Sequence, residues 1–154
     1  MRTTKTPLRV ALLIDAENVH NHYSSILRLA ELFGTVAIKR AYADWKKLGL
    51  SEKQLELLAL GIERVQQDQI GRNATDQRLA KEADDLRKAK KINTFIIASG
   101  DRYYLPLCQS IQKQNKHVLM IGARNQTSTH YAKHGIEFAY LENLVEYLRS
   151  APIA

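Results

Sequence analysis

Three carboxylate signatures punctuate this chain at places where they could share a cation. One apolar run ends at Ile14 and meets Asp15-Ala16-Glu17-Asn18; another ends at Ala98 and meets Ser99-Gly100-Asp101. Between them, Thr75-Asp76 opens an amphipathic stretch that also carries Glu82. Carboxylates brought together repel one another unless a cation offsets their charge. Hard oxygen donors suit Mg²⁺ or Mn²⁺, which usually keep several waters. Such an ion activates a water and stabilises negative charge on a phosphate, so phosphodiester hydrolysis would need no separate nucleophile. Each residue also has an ordinary role open to it. Asp15 and Asp101 suit turns or helix caps, and Asp76 suits the positive end of a helix dipole.

The elements that must position these residues alternate strand with helix. Residues 8–14 form a short apolar block without helical spacing, as a buried strand does. Ile26, Leu29, Ala30 and Phe33 recur at helical intervals over 23–33, and Gly34 ends that helix. Residues 35–42 give a second strand. Ser51 caps the next helix with Gln54 as its capping-box partner, and Leu55, Leu58 and Ala59 form its expected buried stripe. Residues 62–66 give a third strand, and Gly71-Arg72-Asn73-Ala74 turns into a helix over 75–90 with Leu79, Ala83 and Leu86 facing inward. Strands over 94–98 and 117–121, a helix over 105–114, a small strand over 137–140 and a helix over 142–148 complete the pattern. Helical crossovers between strands imply a mostly parallel sheet with helices on both faces, a three-layer α/β/α domain of Rossmann-like type.

In such a sheet, ligands bind at the carboxyl ends of the strands where the strand order reverses. Asp15 and Asp101 meet there if the first and fourth strands are neighbours. Asp76 lies on the buried edge of its helix, where a charge is costly unless it faces a polar site. Glu82 is about 9 Å further along the axis and turned roughly 120° around it, so it cannot easily share one ion with Asp76. Reaching a second metal or positioning a water is open to it, and a solvated surface charge fits at least as well.

The 154 residues suit one domain over 8–150 behind a flexible tail at 1–7. At 45% hydrophobic and 25% charged, the composition is that of a folded globular protein rather than a disordered one. No apolar run reaches the ~20 residues that cross a bilayer, so no membrane role is expected. Cys108 is the single cysteine, which fits a reducing, cytoplasmic setting. A formal charge of +7 favours nucleic acid or another polyanion as partner. Nothing in the chain bars a homo-oligomer.

Taken in order, these motifs resemble the NYN family, the LabA-like branch of the PIN-like nuclease superfamily. Asp15-Ala16-Glu17-Asn18 matches its Asp-x-x-Asn, and Tyr42-Ala43-Asp44-Trp45 its Tyr-x-Asp-Trp-like segment. Gly71-Arg72-Asn73-Ala74-Thr75-Asp76 matches the Gly-Lys-Asn-x-x-Asp element, and Glu82 takes the place of a second acid on that helix. Ser99-Gly100-Asp101-Arg102-Tyr103-Tyr104 matches Ser-Gly-Asp-x-Asp-Phe. The resemblance spans about residues 8–148. It implies a PIN-like fold and Mg²⁺- or Mn²⁺-dependent ribonuclease activity. Asp15, Asp76 and Asp101 would hold the ion, Asn18 would position water or substrate, and Glu82 would assist. Arg72, Asn73, Lys46 and Trp45 are the expected RNA contacts. Lys39, Arg40 and Lys47 could line a phosphate path and Tyr104 could stack on a base, though taken singly each of these charges and rings better suits a solvated face or a core edge.

One residue departs from the pattern: Tyr103 stands in place of the second aspartate, and a neutral phenol is a poor substitute for a hard anionic ligand. The alternative is therefore an RNA-binding or adaptor protein of the same fold with weakened catalysis. A phospho-receiver role lacks the lysine that fold needs after its fifth strand, where Ile121-Gly122-Ala123 stands. A dinucleotide role lacks a Gly-x-Gly-x-x-Gly after the first strand.

Overall fold

A computed structural model describes residues 8–48, 51–67, 74–88 and 91–150. The expected tail at 1–7 and the turn residues Gly71, Arg72 and Asn73 lie outside the described residues. Among the described residues, six strands form one sheet: β1 (Arg9–Asp15), β2 (Thr35–Ala43), β3 (Glu63–Gln66), β4 (Thr94–Ala98), β5 (His117–Gly122) and β6 (Glu137–Tyr140). Their order is β3-β2-β1-β4-β5-β6, and every pairing is parallel. The chain builds outward from β1 to β3, then crosses back to lay β4 on the other side of β1. The reversal point thus falls between β1 and β4, where Leu12 pairs with Ile96 and Ile14 with Ala98.

Among the described residues, seven α-helices cover the sheet: α1 (Tyr23–Leu32), α2 (Trp45–Leu48), α3 (Glu52–Ala59), α4 (Ala74–Lys88), α5 (Leu105–Lys113), α6 (Gln126–Lys133) and α7 (Leu144–Ser150). Alternate residues of β1 feed two cores, because successive side chains of a strand point to opposite faces. Val10, Leu12 and Ile14 pack with Ile26 and Leu29 of α1, Leu57 of α3 and Leu144 of α7. Ala11 and Leu13 pack with Leu79 and Ala83 of α4, Cys108 and Ile111 of α5 and Tyr131 of α6. Each fully buried large aliphatic side chain contributes roughly 1.5–3 kcal/mol by leaving water. β1 is buried on both faces and paired on both edges, and Asp15 stands at its carboxyl end.

The strands and most helices fall where the sequence pattern places them, within a residue or two. α3 differs. Ser51 accepts the backbone N–H of Gln54 at 3.5 Å as its cap, but the buried stripe is Gln54 and Leu57. Leu55 and Leu58, expected inside, are 53% and 64% exposed, and Ala59 is exposed as well. Both stripes have helical spacing, so periodicity alone cannot choose the rotation of the helix. Arg64 of β3 donates to the Gln54 side-chain oxygen, which lets a polar residue occupy the inner face. α2 was not anticipated. It follows Asp44, whose Oδ1 accepts the Lys47 N–H at 3.3 Å and the Gln66 amide at 2.9 Å.

Candidate active site

The end of β1 delivers Asp15 into a turn in which its carbonyl accepts the N–H groups of Asn18 (3.1 Å) and Val19 (2.8 Å). The end of β4 delivers Ser99-Gly100-Asp101 beside it. Asn18 ties the two loops together: its Oδ1 accepts the Gly100 N–H at 2.6 Å. A Cβ on Gly100 would stand 3.3 Å from that oxygen, so glycine permits the close approach. On the far side of β4, a Cβ on Gly122 would come within 2.9 Å of the Ser99 carbonyl oxygen, and the bare backbone there lets β5 close against the loop.

Ser99 and Tyr104 then organise the acids. The Ser99 hydroxyl accepts the Asp101 N–H at 3.1 Å and donates to Asp15 Oδ2 at 3.1 Å. Asp101 Oδ1 accepts the Tyr103 N–H at 2.9 Å, capping a 3₁₀ turn over 102–104. That turn leaves Tyr103 39% exposed and buries Tyr104 completely. The Tyr104 hydroxyl lies 3.2 Å from Asp15 Oδ2 and 3.1 Å from Asp76 Oδ1. Asp76 comes from the first turn of α4, with Thr75 beside it donating to Gln67 at 2.6 Å.

A hydroxyl carries one proton, so Tyr104 can donate to only one of two carboxylates it touches. The second contact calls for a proton on a carboxyl group. Asp76 is the group suited to hold it. Burial first, then the charges of Asp15 and Asp101, push its pKa up to about 7, against the stabilising Tyr104 hydroxyl. Asp15 is also raised by burial, but hydrogen bonds from Ser99, Asp76, Tyr104 and the Glu17 backbone oppose that rise. The pair therefore has one favoured carboxylate, Asp15, and one proton-holding partner, Asp76. The same burial and the two adjacent acids hold the Tyr104 phenol far above its usual range.

Asp15, Glu17, Asn18, Thr75, Asp76 and Asp101 line one open cleft of about 180 Å³. Its donors are hard oxygens, and two of its carboxylates are buried against mutual repulsion. That chemistry fits Mg²⁺ or Mn²⁺, which commonly take one or two protein carboxylates and complete their shell with water and phosphate oxygens. Among the described residues, no three His, Cys, Asp or Glu side chains stand close enough to form a ready-made cation group. The geometry thus pre-positions Asp15 and Asp76 as a pair, with Asp101 on the same cleft but engaged in its cap.

The other expected site residues are placed differently. Glu82 does not line the cleft. Its Oε1 accepts the Tyr42 hydroxyl at 2.6 Å and Arg40 Nη1 at 3.0 Å, and its Oε2 accepts Arg78 Nε at 2.7 Å. It is the hub of an ion-pair network over β2, because the helical rotation that separates it from Asp76 turns it to Arg40. Trp45 is only 8% exposed and donates its indole N–H to the Val65 carbonyl at 3.0 Å, so it is a core residue rather than a stacking platform. Tyr104, buried among the acids, cannot stack on a base either. Lys39 donates to the Leu60 carbonyl at 3.1 Å and Arg40 is shared between Glu63 and Glu82, so neither offers a free phosphate contact. Lys46 and Lys47 are exposed on the short α2. Arg72 and Asn73 lie outside the described residues.

Two contributors went unrecognised in the sequence. The role of Tyr104 had one signal, a tyrosine where the motif has phenylalanine. Lys53 had none: it sits in the first turn of α3 like any solvated lysine, yet it donates to the Ala16 carbonyl and lies 3.1 Å from His20 Nδ1.

The family model that describes the NYN domain matches residues 9–142, most of the chain and all the elements that build the cleft. Among solved structures, a protein of unknown function from Vibrio parahaemolyticus is similar over 93% of this chain and 98% of its own, at 21% identity and a TM-score of 0.69. That likeness concerns the fold. A periplasmic solute-binding protein of an ABC transporter from Actinobacillus succinogenes, with bound D-allose, overlaps 86% of this chain and 37% of its own at 16% identity and a TM-score of 0.43. That overlap is too slight to bear on fold or function. No curated protein matches. On the extent of the family match and the six-stranded parallel sheet beneath it, the chain belongs to the NYN domain family.

Proposed function

We propose that this chain is a Mg²⁺- or Mn²⁺-dependent ribonuclease of the LabA-like, PIN-related type, acting on RNA in the cytoplasm. The observation that carries the reading is the pair of buried carboxylates, Asp15 and Asp76, sharing one tyrosine hydroxyl at the reversal point of the sheet. Two buried acids in contact destabilise the fold once both are ionised, and a positively charged ligand would offset that cost. A divalent cation, when bound, supplies an activated water and offsets charge on the phosphate.

The protein's own groups do the positioning. Ser99 and the Glu17 backbone orient Asp15, while Tyr104 sets the separation of Asp15 from Asp76. Asn18 clamps the ends of β1 and β4, which carry Asp15 and Asp101, so that both line one cleft. Asp101 and Glu17 extend the acidic lining toward the mouth, where Asp101 would hold water or a substrate hydroxyl. The net charge of +7 brings RNA to a cleft whose local charge alone would repel it.

The competing reading is an RNA-binding protein that does not cut. It is favoured by Tyr103, exposed where the motif has an acid, and by the engagement of Asp101 in capping. Incubation of single-stranded RNA with Mn²⁺ and then with chelator separates the two. Cleavage that needs the cation and is lost in Asp15→Asn supports the enzyme; binding without cleavage, indifferent to chelator, supports the adaptor.

A further inference from the structure

The loop that forms one wall of the cleft is gripped from behind by a cation. Lys53, partly buried, reaches from α3 to donate to the Ala16 carbonyl, and its ammonium lies 3.1 Å from His20 Nδ1. Among the described residues, no carboxylate oxygen stands within ion-pair distance of it. A half-buried ammonium without a counter-charge is costly, and burial lowers its pKa against the opposing pull of Glu17 and Asp15. Its place on α3 adds to the cost. Lys53 follows Ser51 and Glu52 in the first turn, where the helix dipole disfavours a cation. An anion bound there would reverse both penalties.

His20 completes the feature. An ammonium only donates, so Nδ1 of His20 must accept, which puts the ring proton on Nε2. The ring is exposed, so that Nε2–H is a second donor beside the first. Both belong to the loop and contacts that hold Asp15, Glu17 and Asn18, on the opposite side of β1's end from α4.

We propose that Lys53 and His20 form a phosphate-binding subsite beside the acidic cleft, which takes a backbone phosphate of the RNA next to the bond that is cut. The proposal rests on the reading of the cleft as an RNA site. It assigns these residues to binding of the polyanion and not to the chemical step.

The test is binding of a short fluorescein-labelled oligouridine in EDTA, followed by anisotropy over a range of KCl concentrations, with cleavage in Mn²⁺ measured separately. Lys53→Met should weaken binding about 5- to 10-fold and flatten the log–log salt dependence by about 0.7, the signature of one lost phosphate contact on a single strand. Lys53→Arg should stay within about twofold of wild type, since a guanidinium also pairs with phosphate. His20→Ala, which alters an exposed ring and leaves the Lys53–Ala16 contact in place, should lose about 2- to 4-fold. In Mn²⁺ the Lys53→Met deficit should appear in KM, with kcat within about twofold. Lys53→Met and His20→Ala binding like wild type with an unchanged salt slope would overturn the subsite, as would a wild type with no affinity for the oligomer. A wild type that binds and never cuts would overturn the hydrolytic reading alone, and the Lys53 result would still stand.

Discussion

Replacing Asp76 with asparagine should stabilise the cation-free protein above neutral pH while abolishing its response to divalent ions. The Asp76 carboxyl rises from an ordinary 3.8 to about 7 on folding, chiefly through burial and then through Asp15 and Asp101. For a group whose pKa is raised in the native state, stability is fully present below the unfolded value and is lost as pH climbs to the folded one. The loss therefore accumulates between about pH 4 and pH 7 and is complete above that. At about 1.4 kcal/mol per tenfold change in proton affinity, the whole cost reaches up to about 4 kcal/mol. Asparagine keeps the shape and an oxygen for the Tyr104 hydroxyl but cannot ionise. In a domain of this length, about 4 kcal/mol corresponds to a rise in melting temperature on the order of 10 °C. The assay is thermal unfolding in EDTA at about pH 4 and about pH 8, repeated with Mg²⁺. The variant should melt well above wild type at the higher pH and equal it at the lower. Mg²⁺ should raise the wild-type melting temperature and leave the variant unmoved. A variant that melts at or below wild type at the higher pH, or one whose advantage is equally large at the lower, would refute the account of a proton-holding, cation-seeking pair.

Tyr104→Phe removes a buried donor from two acids and should cost about 1–3 kcal/mol in chemical denaturation, with the deficit largest in EDTA and reduced by Mn²⁺. Glu82→Gln should destabilise the fold by about 1–3 kcal/mol, because Arg40 and Arg78 lose a shared carboxylate. The cation-dependent cleavage rate per folded molecule should remain within about twofold of wild type, which a catalytic Glu82 would not allow.

The strand ends that carry Asp15 and Asp101 were legible because a short apolar run halted by a carboxylate has few readings in an alternating strand–helix pattern. The adjacency of β1 and β4 stood only as a condition until the strand order supplied it, and Asp76 was marked by sitting on the apolar edge of its helix. The rest depended on contacts between segments distant in sequence. Leu55 and Leu57 head stripes of helical spacing alike, and contacts from other elements accompany the inward turn of Gln54 and Leu57: Arg64 donates to Gln54 and Leu57 packs in the core. Trp45 looks like a stacking ring until the Val65 carbonyl claims its indole N–H. Glu82 looks like a second acid of the site until Arg40 and Tyr42, about 40 residues earlier, meet it across the sheet. Tyr104 shows the same limit in reverse. A motif comparison treats it as a substituted phenylalanine, and only the 3₁₀ turn capped by Asp101 reveals that its hydroxyl enters the acidic pair.

Crystals soaked in Mn²⁺ and examined by anomalous scattering would probe the cleft without reference to any particular RNA. The account requires a peak bonded to oxygens of both Asp15 and Asp76, with water or Asp101 completing the shell, and no such peak in Asp76→Asn. A cleft that takes up no ion while the two carboxylates keep their grip on the Tyr104 hydroxyl would contradict it.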